Sequence, residues 1–210
     1  MEKGKFIILE GNERCGKTTQ AKLIKKYLKE KGIKSILIKE PSDRKGILST
    51  IREMIKNKDN KLTDFSRFLL FSISRYELCQ KITIPALNKG VWVISDRSYI
   101  SSLVYQAEVI GGNKSFIKRV IKETTLDLKA DYAFVLEVNN FTQVFSKRNE
   151  KMKGVQEKIK KDAFESRGSI FLENISKAYT KIGKQENCIF INGDKSAKEV
   201  SKEILSHIKI

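Results

Sequence analysis

Proline, cysteine and histidine are scarce in this sequence, and each scarcity excludes a class of protein. The 210 residues include only 2 prolines and 12 glycines, which excludes collagen-like and proline-rich linker architectures. The three cysteines, Cys15, Cys79 and Cys188, lie far apart and lack metal-ligand spacing, so they predict a reducing, cytoplasmic setting rather than a disulfide-stapled secreted domain. The single histidine, His207, lies near the C-terminus, and we interpret it as a surface helix residue.

Long apolar runs are also missing. No stretch approaches the ~20 apolar residues that cross a bilayer, so we expect no membrane association. Met1 to Lys5 leads directly into a short apolar run, without the features of a signal peptide. Short apolar runs recur along the chain, which excludes a wholly disordered protein, and the length predicts one domain over residues 1–210.

Acidic residues are outnumbered by basic ones. The 42 lysines and arginines against 25 aspartates and glutamates give a formal net charge of +17. Such an excess can attract nucleotides or nucleic acid. The lysines are spread over nearly every segment, however, which is typical of solvated helix faces. We therefore expect no specific nucleic-acid partner.

Apolar strand-like runs alternate with helical patterns along the whole chain. The predicted strands are Lys5–Glu10, Ser35–Lys39, Val91–Ser95, Tyr132–Val138 and Cys188–Asn192. The longest predicted helices are Phe65–Leu87, with Pro85 in its last turns, and Gln156–Ile182, with a weak point at Gly168. This alternation predicts an α/β protein, with a five-stranded parallel sheet flanked by helices on both faces. Ligands of such folds bind at the carboxyl ends of the strands.

A phosphate-binding loop follows the first predicted strand. Residues 11–18 match G-x-x-x-x-G-K-[ST] without a gap, with a strand before the match and a helix after it. The glycines let backbone N–H groups point at a phosphate, Lys17 reaches the outer phosphates, and Thr18 is placed to bind Mg²⁺. A chance match is the alternative, but chance rarely supplies both flanking elements. The predicted ATP-binding residues of this segment are Gly11, Asn12, Glu13, Arg14, Cys15, Gly16, Lys17, Thr18 and Thr19.

The third predicted strand ends in Asp96-Arg97. P-loop proteins hold Mg²⁺ or its water with an acidic residue at the end of a neighbouring strand, so we predict Asp96 as a second metal ligand. The alternative is that Asp96 caps the next helix. Arg97 would bring a cation to the same phosphate-rich cleft.

Several motifs in order resemble those of thymidylate kinases, which are P-loop nucleoside monophosphate kinases. The resemblance covers nearly the whole chain. The segments that carry it are residues 10–20, Glu40-Pro41, residues 67–75, residues 92–99, residues 101–106 and residues 129–131. It implies the P-loop NTPase fold and ATP-dependent phosphorylation of dTMP to dTDP with Mg²⁺, for dTTP synthesis. It also implies a homodimer formed through helices.

The resemblance also assigns roles around the phosphates. Arg14 and Lys17 would spread the charge that develops during transfer, with Asp96 as the third catalytic residue. Arg97 would bind the acceptor phosphate, with Arg44 as a second candidate. Glu13 would contact the sugar hydroxyl; the alternative is a solvated loop residue.

A further set of residues is implied to surround the nucleoside. Phe71 would stack on thymine, and Arg75, four residues on along the same helix face, would bond to the base. Plain core packing is the alternative for Phe71. Tyr105 would crowd the sugar 2′ position, and Ser101 and Gln106 would lie near the base edge.

The predicted lid, residues 148–157, departs from the family pattern. The acidic-arginine-aromatic-acidic run that family members usually carry there is missing. Gln156 remains a candidate base contact, and Arg148 a candidate for the ATP adenine. Two alternatives therefore stay open: a kinase for another nucleoside monophosphate or a deoxynucleoside, or a P-loop protein that binds nucleotide or nucleic acid without catalysis.

Overall fold

The computed structural model describes residues 3–138 and 168–210. Five strands in this part form one sheet in the order β2-β3-β1-β4-β5, and all four pairings are parallel. The strands are β1 (Phe6–Gly11), β2 (Ser35–Lys39), β3 (Trp92–Asp96), β4 (Tyr132–Glu137) and β5 (Ile189–Asn192). The predicted α/β fold is confirmed, with strand ends shifted by at most one residue. The prediction of a single domain stays a prediction.

Helices connect the strands on both faces of the sheet. They are α1 (Lys17–Glu30), α2 (Ile47–Lys56), α3 (Asp64–Leu78), α4 (Ile84–Asn88), α5 (Tyr99–Ser102), α6 (Lys114–Thr125), α7 (Ser169–Gln185) and α8 (Ala197–His207). A short 3₁₀ turn, Lys58–Asn60, precedes α3. The start of the predicted helix Gln156–Ile182 and the predicted lid lie outside the described residues.

The predicted helix Phe65–Leu87 is divided in the structure. A π-helical segment, Cys79–Thr83, separates α3 from α4, and Pro85 lies in the first turn of α4. Proline has no N–H, and the first turn of a helix is where that donor is not needed. A second π segment, Leu103–Val109, follows α5 directly. Gly168, with φ 88°, precedes α7, in agreement with the predicted weak point.

Strand β1 is central and buried along its whole length. Phe6 and Ile8 belong to one core layer, which includes residues of α3 and α7. Ile7 and Leu9 point to the opposite face and belong to a second layer, with residues of α1 and α8. Burial on both faces explains why this strand reads as a continuous apolar run.

The carboxyl ends of β1 and β3 lie side by side. Leu9 pairs with Asp96 in the sheet register, and Asp96 in turn pairs with Lys39 at the end of β2. The phosphate-binding loop therefore leaves the sheet beside the Asp96-Arg97 pair. This edge is where the site residues meet.

Candidate active site

The loop after β1 has backbone angles that favour glycine at both of its ends. Gly11 has φ 132° and Gly16 has φ 104°. A Cβ on Gly11 would lie 2.5 Å from the carbonyl oxygen of Leu136 in the neighbouring strand. Lys17 folds back across the loop, and its Nζ donates hydrogen bonds to the carbonyl oxygens of Gly11 (3.0 Å) and Asn12 (2.6 Å). A buried ammonium group thus lies inside the loop, at the N-terminus of α1, as a phosphate site requires.

Thr18 and Asp96, the two predicted metal ligands, are in contact. Thr18 Oγ1 donates a hydrogen bond of 2.5 Å to Asp96 Oδ2. The Nζ of Lys39 lies 3.8 Å from the same carboxylate oxygen. Ser98, not Asp96, is the residue that precedes α5 as its cap. The structure therefore gives Asp96 no helix-capping role and leaves it beside the phosphate loop.

Arg97 bonds to the phosphate-binding loop and to α7 at once. Its Nη2 lies 2.6 Å from Glu13 Oε1, and its Nη1 donates to Tyr179 Oη at 2.8 Å and to Ser101 Oγ at 3.2 Å. The guanidinium also lies over the ring of Tyr105, 5.7 Å from its centroid. The side chain that is predicted to bind the acceptor phosphate is thus held next to the loop for the donor phosphates.

Charge pairing keeps both members of the Arg97–Glu13 pair ionised. Burial by itself lowers the pKa of Arg97, but Glu13 and Tyr179 outweigh it and hold that pKa well above its usual range. Burial raises the pKa of Glu13, and the positive charges of Arg97 and Lys17 more than reverse this, to about 2. The pair therefore carries full charges at neutral pH.

Glu10 is a site residue that the sequence reasoning missed. Its side chain is fully buried and accepts four hydrogen bonds, from the N–H groups of Ser98 (2.7 Å) and Ser101 (3.1 Å), from Ser101 Oγ (2.7 Å) and from Tyr179 Oη (3.0 Å). Burial raises its pKa, while Arg97 and these donors oppose the shift. An acidic residue in a strand buried on both faces needs such partners, and that requirement was the available signal. Tyr179 has no comparable signal in the sequence.

Arg75 lies deep in the protein, on α3. It is 1% exposed, with Nε 3.0 Å from Glu40 Oε2 and Nη2 2.9 Å from Ser102 Oγ. Its Nη1 has no hydrogen-bond partner within the described ranges. Burial raises the pKa of Glu40, and Arg75 lowers it in turn. Phe71, one turn earlier on the helix, is half-buried at the edge of the core, where it contributes to packing and keeps part of its surface accessible.

The remaining predicted residues are placed in three groups. Tyr105 and Gln106 are buried on the second π segment, close to Arg97 through Tyr105. Arg44 is exposed in the loop after β2, and its N–H donates to Ser42 Oγ at 3.3 Å.

In the loop after β1, Asn12 and Cys15 are buried, Arg14 is half-buried with φ 60°, and Thr19 is exposed on α1. Arg148 and Gln156 lie outside the described residues. The roles of these residues toward nucleotides stay predictions.

Comparison with known proteins decides the family. A family model described as thymidylate kinase matches residues 9–204. The chain is 35% identical to the thymidylate kinase of Prochlorococcus marinus (strain MIT 9301), with 96% of this chain and 94% of the relative covered. It is 30% identical to the thymidylate kinase of Orientia tsutsugamushi (strain Ikeda), with 98% and 93% covered. It is 29% identical to the thymidylate kinase of Thermoanaerobacter sp. (strain X514), with 99% of this chain and 98% of the relative covered.

The chain belongs to the thymidylate kinase family. It is therefore a phosphotransferase that uses ATP, as the motifs predicted. This confirms the family resemblance and the enzyme class. In the part of the chain that the structure describes, no helix is long and apolar enough to span a membrane.

Proposed function

We propose that this chain transfers the γ-phosphoryl group of ATP to dTMP, giving ADP and dTDP, at the carboxyl edge of its sheet. The contact between Glu13 and Arg97 (2.6 Å) carries the proposal, because it joins the donor loop to a partly buried arginine that can hold a second phosphate. A nucleoside without phosphate would offer that arginine no charge to pair with. A phosphorylated acceptor is therefore favoured over a deoxynucleoside.

The chemistry that we propose needs position and positive charge rather than a covalent intermediate. An oxygen of the dTMP phosphate attacks the γ-phosphorus of ATP, and the bond to the β–γ bridging oxygen breaks, so that ADP leaves. The attacking phosphate is already largely ionised at neutral pH, because its second pKa is about 6. Lys17 and Arg14 then spread the charge of the transferring group, while Arg97 holds the acceptor.

Burial and geometry support Arg75 as the residue that reads the base. Two of its nitrogens are fixed by Glu40 and Ser102, while Nη1 has no hydrogen-bond partner among the described residues. A rigidly held donor can discriminate between bases by their acceptor atoms. Phe71 supplies an accessible aromatic surface one turn away. We therefore propose that thymine stacks on Phe71 and accepts a hydrogen bond from Nη1.

The oxygen atoms of Thr18 and Asp96 fit a magnesium ion. They lie 2.5 Å apart, and Mg²⁺ in kinases takes one or two protein oxygens together with substrate phosphates. When bound, the ion would neutralise charge on the donor phosphates. We propose these two residues as its protein ligands.

A coupled assay of ADP formation with ATP and Mg²⁺ tests this function. We expect activity with dTMP to exceed that with dUMP, dCMP, dGMP and thymidine. Lys17→Met should lower turnover at least a hundredfold, because a charge that acts on the transferring group is lost. Lys22→Met, an exposed lysine on the same helix, is the matched control and should leave turnover unchanged. Preference for another acceptor would replace dTMP in this proposal, and ADP formation that needs no acceptor would refute it.

We also propose that the chain forms a homodimer through α3. Phe65, Leu69, Ile73 and Tyr76 are 56%, 39%, 49% and 36% exposed and follow one another at helical spacing, which leaves an apolar stripe open to solvent. A twofold contact would cover it. Light scattering should give twice the chain mass for the wild type and a monomer for Ile73→Asp. A monomeric wild type at micromolar concentration would refute the dimer.

A reducing, cytoplasmic setting is part of the same proposal. Cys15, Cys79 and Cys188 are free thiols in the structure. Burial raises the pKa of Cys79 and of Cys188 to about 12, so both stay protonated and unreactive at neutral pH.

A further inference from the structure

The side chain of Arg97 is oriented by two hydroxyl groups that are themselves fixed by Glu10. Tyr179 Oη and Ser101 Oγ each accept a hydrogen bond from Arg97 Nη1, at 2.8 and 3.2 Å. Each also donates to Glu10 Oε2, at 3.0 and 2.7 Å. A hydroxyl has a single proton, so donation to Glu10 leaves only lone pairs to face the guanidinium. Glu10 thereby makes both hydroxyls acceptors for Arg97.

The other oxygen of Glu10 is occupied as well. Oε1 accepts the N–H groups of Ser98 and Ser101, at 2.7 and 3.1 Å. Every hydrogen-bond partner of this carboxylate is therefore a donor, which suits a group that only accepts. The carboxylate is buried among these donors, so water does not compete for its lone pairs. The two hydroxyl oxygens also lie 3.0 Å from each other, so Glu10, Ser101 and Tyr179 form one hydrogen-bonded cluster beside the guanidinium of Arg97.

The backbone by itself does not fix the orientation of the Arg97 side chain. Arg97 leaves β3 with φ 74°, and its N–H bonds to the carbonyl of Leu9 at 2.9 Å. This pins the main chain and leaves the long side chain to be placed by its partners. On the Nη2 side that partner is Glu13, whose carboxylate draws the guanidinium toward the donor loop. On the Nη1 side the hydroxyls of Ser101 and Tyr179 accept hydrogen bonds and hold the guanidinium from the other direction.

We propose that Glu10 and Tyr179 are positioning residues that hold Arg97 in the orientation that binds the phosphate of dTMP. The inference rests on the proposed function, in which Arg97 contacts that phosphate. Neither positioning residue needs to touch the substrate. Tyr179 lies on α7 and Glu10 on β1, so the network joins two residues that are 169 positions apart in the chain.

Calorimetric titration with dTMP and with thymidine separates this role from a general structural one. Tyr179→Phe keeps the ring and its edge-on contact with Tyr105 but removes the hydroxyl. We expect it to weaken dTMP binding about tenfold, the cost of about one charge-assisted hydrogen bond, and to leave thymidine binding unchanged. In kinetics the KM for dTMP should rise by a similar factor while the KM for ATP stays constant. Tyr99→Phe is the matched control, because that hydroxyl bonds to Glu186 (3.3 Å) and not to Arg97.

A double variant tests whether Tyr179 acts through Arg97. Arg97→Met should abolish the affinity gain of dTMP over thymidine, and adding Tyr179→Phe to it should cause no further loss. Glu10→Gln should reproduce the loss of dTMP affinity, because its amide sets an N–H donor against other donors. If Glu10→Gln does not fold, the comparison of Tyr179→Phe with Tyr99→Phe still tests the inference.

Three results would overturn the inference. Tyr179→Phe could weaken dTMP and thymidine equally, could weaken neither, or could add its full effect to Arg97→Met. If Arg97→Met itself keeps the difference between dTMP and thymidine, the proposed role of Arg97 fails together with the inference. If Arg97→Met removes that difference and Tyr179→Phe does not reduce it, only the inference fails.

Discussion

Replacing Arg75 by leucine would leave the carboxylate of Glu40 buried without its partner. The two side chains are 1% and 6% exposed and meet at 3.0 Å. Removing one member of such a pair costs about 3–5 kcal/mol, chiefly because the other charge stays out of water. Against a total stability of about 5–15 kcal/mol, the variant should still fold but unfold at a clearly lower urea concentration.

The pH dependence of this loss follows from Glu40. Burial raises its pKa above the ordinary 4.5, and Arg75 opposes that shift, so Arg75→Leu raises the pKa further. The folded variant then binds a proton more tightly than the unfolded chain does. Its stability therefore rises as the pH falls toward 4.5 and is lost as the pH rises. The deficit relative to the wild type should shrink as the pH falls, by at most about 1.4 kcal/mol per pH unit, over the pH range in which Glu40 is protonated in the variant but still ionised in the wild type.

Urea unfolding at pH 7 and pH 5 provides the test. The double variant Arg75→Leu with Glu40→Leu should be more stable than Arg75→Leu alone at neutral pH, and the stability difference between these two variants should shrink as the pH falls from 7 to 5. Arg119→Leu is the matched control, because this arginine on α6 is exposed and loses only its contact with the Phe116 ring; it should cost at most about 1 kcal/mol. A pH-independent deficit, or a double variant no better than the single one, would refute this account of the buried pair.

Three further predictions concern the loop after β1. Thr18→Val removes the hydroxyl beside Asp96 and should raise the Mg²⁺ concentration for half-maximal activity about tenfold; an unchanged Mg²⁺ titration would contradict its role as a ligand. Gly11→Ala would place a Cβ 2.5 Å from the carbonyl oxygen of Leu136, at a residue whose φ is 132°. We therefore expect the free energy of unfolding to fall by about 1–3 kcal/mol. An unchanged midpoint of urea unfolding would be inconsistent with that contact. The positive neighbours of Glu13 lower its pKa to about 2 although burial raises it. The stabilising effect of the ionised carboxylate is therefore complete above pH 4.5, the ordinary pKa of glutamate, and is lost as the pH falls toward 2. The stability difference between the wild type and Glu13→Gln should therefore close in acid, and a constant difference would refute the ion pair.

Local signals predicted most of the fold. Each of the five strands is a short apolar run, and the loop of residues 11–18 is recognised by its glycines and lysine at fixed spacing. The contact of Thr18 with Asp96 also follows from sequence, because parallel strands end at one edge. The π segments were not predicted, since they have no periodicity of their own distinct from an α-helix over five to seven residues.

Long-range polar contacts were beyond the reach of sequence patterns. Tyr179 meets Glu10 across 169 residues, and its place on an amphipathic helix looks like ordinary core packing. The ion pair between Arg75 and Glu40 is another case, since the two residues belong to separate motifs and only the packing of α3 against the sheet joins them. Glu10 alone had a signal, as a charge in a fully apolar strand.

Transfer of label from γ-labelled ATP tests the central claim most directly. Incubated with dTMP and Mg²⁺, the wild-type chain should place the label in dTDP, with little released as free phosphate, and Lys17→Met should place almost none there. Label that appears as free phosphate, or on no nucleotide at all, would contradict the claim that donor and acceptor phosphates meet between Lys17 and Arg97.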